Sequence, residues 1–196
     1  MTIHLVRHGN VENPKGVIYG RLPGYHLSER GRRQAEAAAV RLDQVRADRV
    51  WSSPMERARE TAEIIAARHA ASVRIDDRFT ESLSTLEGAS GSLLRLLMSP
   101  SRWWALRNPL RPSWGESFTD IRKRMLGGIA DAVEEASGQD VVIVSHQTPV
   151  VVARLALARR STPPWLGLIP CDTGSVTTLV VEGDRALSAS YFKPLV

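Results

Sequence analysis

The run from Asp140 to Ser145 is the feature that most limits which folds this chain can adopt. Four consecutive aliphatic residues, Val141 to Val144, leave this strand no polar side to turn toward water. Such a strand is typical of the interior of a parallel sheet that is covered by helices on both faces. The run ends directly before His146, so the same strand also delivers a histidine at its carboxyl end.

Strands and helices alternate along most of the chain, which has 196 residues and a mass of 21.6 kDa. The hydrophobic spacing predicts strands at 3–6, 48–51, 73–75, 140–145, 176–181 and 186–192, and helices at about 28–45, 55–69, 117–136 and 150–158. This order indicates the α/β class: three α/β/α layers around a mostly parallel sheet, with the last two strands as an antiparallel edge hairpin. We expect one domain over residues 1–196.

The segment from about residue 80 to 116 interrupts this alternation. Two short helices, at 93–98 and 103–106, are predicted within it, and tryptophans lie among arginines. That mixture can indicate a membrane surface or a nucleic-acid site. We favour a helical and loop lid over the carboxyl edge of the sheet.

Charge and composition argue against several classes of partner. The net charge is +5, from 26 Lys and Arg against 21 Asp and Glu, but the arginines are spread over the whole chain. We therefore expect neither nucleic-acid nor membrane binding. The single cysteine, Cys171, excludes an intramolecular disulfide, and neither a secretory leader nor an apolar run of about 18 residues is visible. We expect a cytoplasmic protein.

The first strand ends in Arg7-His8-Gly9, a cation, an imidazole and a residue without a Cβ. Gly9 is expected to allow a tight turn of the backbone. Two interpretations carry equal weight for this tripeptide alone: a strand-to-loop corner with a surface histidine, or a reactive site for an anion.

In the predicted topology, three parallel strands end at the same edge of the sheet. Ligands of open α/β sheets bind at this edge, at the carboxyl ends of the strands. His8 and His146 each follow such a strand. Arg57 lies near the start of the helix after the third. With Arg7, two histidines and two arginines would surround one space of the size of an anion.

Four linked motifs resemble those of the histidine phosphatase superfamily, which has the phosphoglycerate mutase-like fold. They are Leu-Val-Arg7-His8-Gly9, Leu27-Ser28-Glu29 with Gly31 and Gln34-Ala35, Ser52-Ser53-Pro54 with Arg57-Ala58 and Thr61-Ala62, and Val144-Ser145-His146. These motifs occur in the order and at the spacing of that superfamily, and together they extend over most of the chain. The resemblance implies that His8 is phosphorylated during turnover and that Arg7, Arg57 and His146 hold the phosphoryl group.

Three further residues are candidates for the phosphate site. Asn13 matches a loop asparagine of the family that touches phosphate. Arg21 could reach the mouth of the pocket or form a structural salt bridge. Thr148 could donate to the phosphate or cap the following helix.

The proton donor is expected at Glu81, because Arg78-Phe79-Thr80-Glu81 resembles the segment of the family that carries it. A basic leaving alkoxide needs such an acid, and a nearby phosphate would raise the pKa of the carboxyl group. Glu87 and Asp77 lie close in sequence and compete for this role.

The predicted activity is that of a metal-independent phosphomonoester hydrolase that acts through a phosphohistidine on His8 and needs no cofactor. No Cys/His or carboxylate cluster with metal-ligand spacing is visible. The expected partner is a small-molecule phosphomonoester, and the edge strand permits a homodimer. A phosphoglycerate mutase-type phosphotransferase and a non-catalytic protein that binds phosphorylated ligands are the alternatives.

Overall fold

The computed structural model describes residues 1–89, 115–162, 166–183 and 185–196. Its strands and helices follow the predicted alternation. In chain order they are β1 (Thr2–Arg7), α1 (Glu29–Arg41), β2 (Arg49–Ser52), α2 (Glu56–His69), β3 (Ser72–Ile75), a 3-10 turn (Asp77–Phe79), α3 (Phe118–Glu135), β4 (Val141–Ser145), α4 (Gln147–Leu157), a second 3-10 turn (Leu166–Leu168), β5 (Val176–Glu182) and β6 (Arg185–Phe192). The short helices predicted at 93–98 and 103–106 lie outside the described residues.

The strands form one mixed sheet in the order β3-β2-β4-β1-β5-β6. The four strands β3, β2, β4 and β1 are parallel, whereas β5 runs antiparallel to β1 and β6 antiparallel to β5. The predicted parallel sheet with an antiparallel edge hairpin is therefore confirmed. Strand β4 lies between β1 and β2, as its unbroken apolar run predicts.

Alternate residues of β4 belong to two different hydrophobic cores, one on each face of the sheet. Val141 and Ile143 pack in the core that includes residues of α3 and α4, whereas Val142 and Val144 pack in the core that includes residues of α1 and α2. Side chains alternate across a strand, so both sets are buried only where helices cover both faces. The three-layer α/β/α arrangement follows from this division.

Two helix ends differ from their predicted positions. Helix α1 ends at Arg41 rather than near Val45, because Leu42 has left the helical conformation, with ψ of 6°. Helix α4 begins at Gln147 rather than Val150, with His146 at its N-cap. Pro149 causes no break there, because the N–H groups of the first turn have no partner within the helix.

Gly9 is needed for space rather than for a turn, which corrects the sequence-based interpretation. A Cβ at Gly9 would lie 2.3 Å from the carbonyl oxygen of Gly31, and a Cβ at Gly31 would lie 2.0 Å from that of Asn10. The end of β1 therefore packs directly on the backbone of the first turn of α1. This contact fixes His8 relative to the helical layer.

Candidate active site

A cavity of about 300 Å³ opens where β1 and β4 end. Its walls come from the end of β1, the loop before α1, the segment after the first 3-10 turn and the first turn of α4. The lining residues are Arg7, His8, Ile18, Tyr19, Gly20, Glu81, Ser82, Ser84, Gln147 and Thr148. The parallel pairing of β1 with β4 sets Arg7 opposite Ser145, so the two strand ends reach the same level.

His8 is held with one ring nitrogen ready to act as a nucleophile. Its Nδ1 lies 2.7 Å from the carbonyl oxygen of Gly9. A carbonyl oxygen only accepts, so Nδ1 carries the proton and Nε2 keeps its lone pair. Burial, together with the charges of Arg57 and Arg7, lowers the pKa of His8 well below its usual 6.5. Neutral His8 is therefore the stable form before an anion arrives.

Hydrogen bonds through Thr61 connect the backbone next to His8 to helix α2. The Gly9 N–H donates to Thr61 Oγ1 at 3.1 Å, and the Thr61 hydroxyl donates to the carbonyl oxygen of Arg57 at 2.7 Å. The histidine backbone and the arginine backbone are thus two hydrogen bonds apart. The Arg7-His8-Gly9 segment and the first turn of α2, which carries Arg57, are thereby held in a fixed relation.

Several buried cationic and imidazole donors around His8 have no hydrogen-bond partner among the described residues. The unpartnered atoms are Arg7 Nε, Arg57 Nε, Arg57 Nη1 and His146 Nδ1. Arg57 and His146 are fully buried, and neither lines the open cavity. The ring centroids of His146 and His8 are 5.0 Å apart. Buried donors without partners are costly, so a cluster of them beside one histidine is suited to an oxyanion.

Ser53 sets the proton position on His146. The Ser53 Oγ lies 2.7 Å from His146 Nε2 and accepts the Met55 N–H at 3.3 Å. Burial lowers the pKa of His146 well below its usual 6.5, so the ring is neutral. The Ser53 hydroxyl has no other acceptor among the described residues, so it donates to Nε2, and the ring proton lies on Nδ1, which has no partner among those residues. His146 is thereby prepared to donate a hydrogen bond.

Glu81 supplies the carboxyl group that lines the cavity. Its Oε1 accepts the N–H of Ser82 at 2.8 Å and the Ser82 hydroxyl at 3.2 Å. Burial raises the pKa of Glu81, although the bonds from Ser82 and the charges of Arg57 and Arg7 oppose the shift. Since Oε1 accepts two hydrogen bonds, the proton of the acid form belongs on Oε2.

The two competing carboxylates lie elsewhere. Glu87 Oε1 accepts the backbone N–H of Arg21 at 2.8 Å. It fills the space beside Gly20, where a Cβ would approach it to 2.3 Å. Asp77 begins the 3-10 turn and lines a neighbouring cavity instead. Among the described carboxylates, the geometry therefore favours Glu81 as the partner of His8.

Comparisons with known proteins agree with this geometry. The family model described as "Histidine phosphatase superfamily (branch 1)" matches residues 3–192. The chain belongs to the histidine phosphatase superfamily. It is 43% identical over 193 residues to "Uncharacterized protein Rv0525" of Mycobacterium tuberculosis, covering 98% of this chain and 96% of that protein.

Two phosphatases are also similar to this superfamily member. Phosphoserine phosphatase 1 of Hydrogenobacter thermophilus is 30% identical over 187 residues, covering 92% of this chain and 87% of the relative. The structure of a mycobacterial glucosyl-3-phosphoglycerate phosphatase in complex with VO3 superposes with a TM-score of 0.76 at 27% identity, covering 91% of this chain and 92% of the other. The phosphoglycerate mutase-like fold expected from the motifs is confirmed.

Not every residue expected from the superfamily motifs reaches the cavity. The structure does not bring Asn13 into its wall, because the side-chain amide closes a turn: Nδ2 donates to the Val17 carbonyl at 2.9 Å and Oδ1 accepts the Val17 N–H at 3.1 Å. Arg21 pairs with Glu116 at 3.1 Å and lines the neighbouring cavity, which is the structural alternative. Thr148 does line the His8 cavity, and His146 rather than Thr148 is the N-cap of α4.

Sequence reasoning missed Tyr19 as a wall of the site. Its ring stacks on Tyr25, with centroids 5.0 Å apart, and the guanidinium carbon of Arg57 lies 4.8 Å from its centroid. Arg57 Nη2 also donates to the carbonyl oxygen of Gly20 at 2.6 Å. Arg57 thus anchors the long loop before α1. Both tyrosines lie in a loop without a helical or strand period, so the sequence pattern held no signal for this stack.

Within 1–89, 115–162, 166–183 and 185–196, no three histidine, cysteine, aspartate or glutamate side chains gather closely enough to share a metal ion. In the same ranges, no helix combines the length and apolar character that crossing a bilayer requires.

Proposed function

We propose that the protein is a phosphomonoester hydrolase that forms a phosphohistidine on His8 Nε2. The observation that carries this proposal is the set of buried donors without partners beside a histidine whose Nε2 is unprotonated. A phosphoryl group satisfies both halves of that arrangement, since its oxygens accept hydrogen bonds and its phosphorus accepts a nucleophile.

In the first step the lone pair of His8 Nε2 attacks phosphorus. The N–P bond forms as the bond from phosphorus to the ester oxygen breaks, and Glu81 gives its proton to the departing oxygen. The raised pKa of Glu81 keeps a larger share of it protonated than an ordinary glutamate would have.

In the second step a water molecule attacks the phosphohistidine. Glu81, now a carboxylate, accepts a proton from that water while the N–P bond breaks and its electron pair returns to Nε2. The products are inorganic phosphate and the starting form of the enzyme. The same carboxyl group thus serves as acid and then as base.

The surrounding donors stabilise the charge on the transferring group in both steps. Arg7 and Arg57 contribute permanently charged guanidinium groups, and the Nδ1–H of His146 contributes a neutral donor. Fixed donors of this kind need little rearrangement as charge develops, because the fold has already oriented them.

The proposal extends to the setting of the reaction. We propose a small-molecule phosphomonoester as substrate, turnover without a metal ion or another cofactor, and a cytoplasmic location. The phosphatase names of two similar proteins, phosphoserine phosphatase 1 and glucosyl-3-phosphoglycerate phosphatase, support hydrolysis.

The test is turnover of 4-nitrophenyl phosphate and a panel of phosphomonoesters in the presence of a chelator. We expect phosphate release, an acid-labile phosphoryl group on the protein after rapid quenching, and loss of both in His8→Ala. The Nε2 nucleophile is indispensable, so activity should fall by roughly 1,000-fold or more. Unchanged turnover in His8→Ala would contradict the proposal.

The same assay separates the alternatives. A mutase would interconvert 2- and 3-phosphoglycerate faster than it releases phosphate. A non-catalytic binding protein would bind inorganic phosphate but release none from any ester of the panel.

A further inference from the structure

A second polar cluster holds the segment that carries Glu81. It consists of Arg21, Arg124 and Glu116, and we call it the clamp. Their side chains are exposed by 27%, 16% and 14%, respectively, so all three are largely buried. None of them lines the cavity that contains His8.

The two arginines of the clamp bind the main chain around Glu81. Arg21 Nε donates to the carbonyl oxygen of Glu81 at 2.6 Å, and Arg124 Nη2 reaches the same oxygen at 3.4 Å. Arg124 Nη1 donates to the carbonyl oxygens of Arg78 and Thr80, at 2.6 and 2.7 Å. Three of four consecutive carbonyl groups are therefore held by guanidinium groups.

Glu116 joins the two arginines. Its Oε2 lies 3.1 Å from Arg21 Nη2 and 3.0 Å from Arg124 Nη2, and its Oε1 lies 2.7 Å from Arg124 Nε. One carboxylate thus orients both guanidinium groups. It also lowers the repulsion between two cations that share one carbonyl oxygen.

The backbone beside Glu116 closes on the same segment. The Glu116 N–H donates to the carbonyl oxygen of Leu83 at 3.2 Å, and Gly115 forms an isolated β-bridge with Ser84. A Cβ at Gly115 would lie only 1.7 Å from the Leu83 carbonyl oxygen. The segment from Arg78 to Ser84 is therefore bound by side chains and by backbone.

We propose that Glu116, Arg124 and Arg21 are positioning residues that set the distance from the Glu81 carboxyl group to the leaving oxygen. This inference rests on the proposed function, because it gives the clamp a role only if Glu81 is the general acid. The clamp contacts the main chain of Glu81 and not the phosphate, so it acts on proton transfer and leaves phosphate binding unchanged.

Two substrates distinguish proton transfer from folding or binding. The leaving group of 4-nitrophenyl phosphate is a weak base that departs with little help from an acid. The leaving group of phenyl phosphate is a stronger base and depends more on Glu81. A residue that positions Glu81 therefore affects phenyl phosphate more than 4-nitrophenyl phosphate.

The decisive variant is Glu116→Gln, measured beside Glu81→Gln as the reference. General acids contribute roughly 100- to 10,000-fold, so we expect partial misplacement to lower kcat/KM for phenyl phosphate about tenfold more than for 4-nitrophenyl phosphate. Inhibition by inorganic phosphate should stay as in the wild type. Equal losses on both substrates, no loss on either, or weakened phosphate inhibition would each overturn the inference.

The matched control is Glu135→Gln. Glu135 also joins two arginines, Arg49 at 2.7 Å and Arg74 at 3.4 Å, but on the side of the sheet where β2 begins. Glu135→Gln should keep the wild-type kcat/KM for both phenyl phosphate and 4-nitrophenyl phosphate. A selective loss in this control would also contradict the proposed role.

If Glu116→Gln does not fold, a second variant tests the same inference. Arg124→Lys retains the positive charge but cannot span three carbonyl groups and a carboxylate, so it should show the same selective loss. Failure of the proposed function looks different: the wild type would hydrolyse neither ester, or Glu81→Gln would lower both rates equally.

Discussion

The arginines on the two sides of the His8 cavity differ in how many of their guanidinium nitrogens have hydrogen-bond partners. On the phosphate side, around His8, Arg57 is fully buried and two of its three guanidinium nitrogens have no partner. On the acid side, all three guanidinium nitrogens of Arg124 donate to carbonyl groups or to Glu116. The donors proposed to bind phosphate are unpaired, whereas the donors that hold the backbone each have a partner. We therefore expect the same residue type to stabilise the fold on one side and to destabilise it on the other.

The largest expected effect is the contrast between Arg57→Met and Arg124→Met. Arg57→Met removes two buried unpaired donors at the expense of the contacts with the Gly20 carbonyl and the Tyr19 ring, so the free energy of unfolding should rise by about 1 kcal/mol. Arg124→Met leaves the carbonyl groups of Arg78 and Thr80 without their guanidinium donor and Glu116 with Arg21 alone, so the free energy of unfolding should fall by about 2 kcal/mol. Urea unfolding without phosphate measures both.

Activity and ligand stabilisation complete that contrast. Arg57→Met should lose roughly 100- to 1,000-fold in kcat, the usual effect of removing a donor to a developing oxyanion. Inorganic phosphate at 100 times its Kd should stabilise the wild type by about 2.7 kcal/mol but the variant much less. Lower stability of Arg57→Met in phosphate-free buffer would show that its unpaired nitrogens are not a burden on the fold.

The next effect is on the pH profile, because the pKa values on the two sides shift in opposite directions. The pKa of His8 is lowered from 6.5, so the nucleophile stays neutral at mildly acidic pH, and the pKa of Glu81 is raised, so the acid stays protonated above its usual range. For phenyl phosphate, kcat/KM should therefore hold below pH 6.5 and decline as rising pH deprotonates Glu81.

Glu81→Gln is the variant that checks this assignment. It should remove the decline of kcat/KM at alkaline pH, because glutamine does not titrate. Any decline at acid pH that comes from protonation of His8 should remain. An alkaline limb that persists in Glu81→Gln would assign it to another group.

A smaller effect is expected for Ser53, which orients His146 from behind. Ser53→Ala should lower kcat/KM about fivefold, corresponding to the ~1 kcal/mol of one hydrogen bond. The loss should be the same for phenyl and 4-nitrophenyl phosphate, because His146 serves the phosphoryl oxygens and not the leaving group. A loss confined to phenyl phosphate would place Ser53 on the acid side.

The sequence could predict the residues on the phosphate side of the cavity but not the clamp on the acid side. His8, His146 and Arg57 were predictable because each follows a strand, and the ends of parallel strands meet at one edge. The clamp was not predictable, since Arg21, Glu116 and Arg124 lie in a loop, before a helix and within a helix, with no shared period. The common target of the two arginines is the backbone carbonyl of Glu81, which leaves no trace in residue types.

Asn13 shows the limit of transferring a role by motif. Its type and place in the loop suit a phosphate contact, yet the amide serves equally well to close a turn, which is how the Val17 backbone uses it. The predicted start of helix α4 at Val150 lies three residues after the observed start at Gln147. Pro149 is compatible with the first turn, because the N–H that it lacks would have no partner there.

The smallest expected effect concerns His4, a buried histidine on β1 away from the cavity. Its Nδ1 lies 3.0 Å from Thr178 Oγ1, its Nε2 has no partner, and burial lowers its pKa to about 4, with Asp140 opposing. Between pH 6.5 and about 4 the unfolded chain binds a proton here that the folded protein does not. The contribution of His4 to stability is therefore present above pH 6.5 and is lost as the pH falls through this window.

His4→Gln should make urea unfolding less sensitive to pH in that window, because glutamine can keep the bond to Thr178 and does not titrate. His26→Gln is the control, since the His26 side chain is 60% exposed. His8 and His146 are present in both variants. The difference in the pH dependence of unfolding between His4→Gln and His26→Gln therefore isolates the contribution of His4. If His4→Gln instead followed the wild type, the acid sensitivity of the fold would come from other groups, and the proposed contribution of His4 would be contradicted.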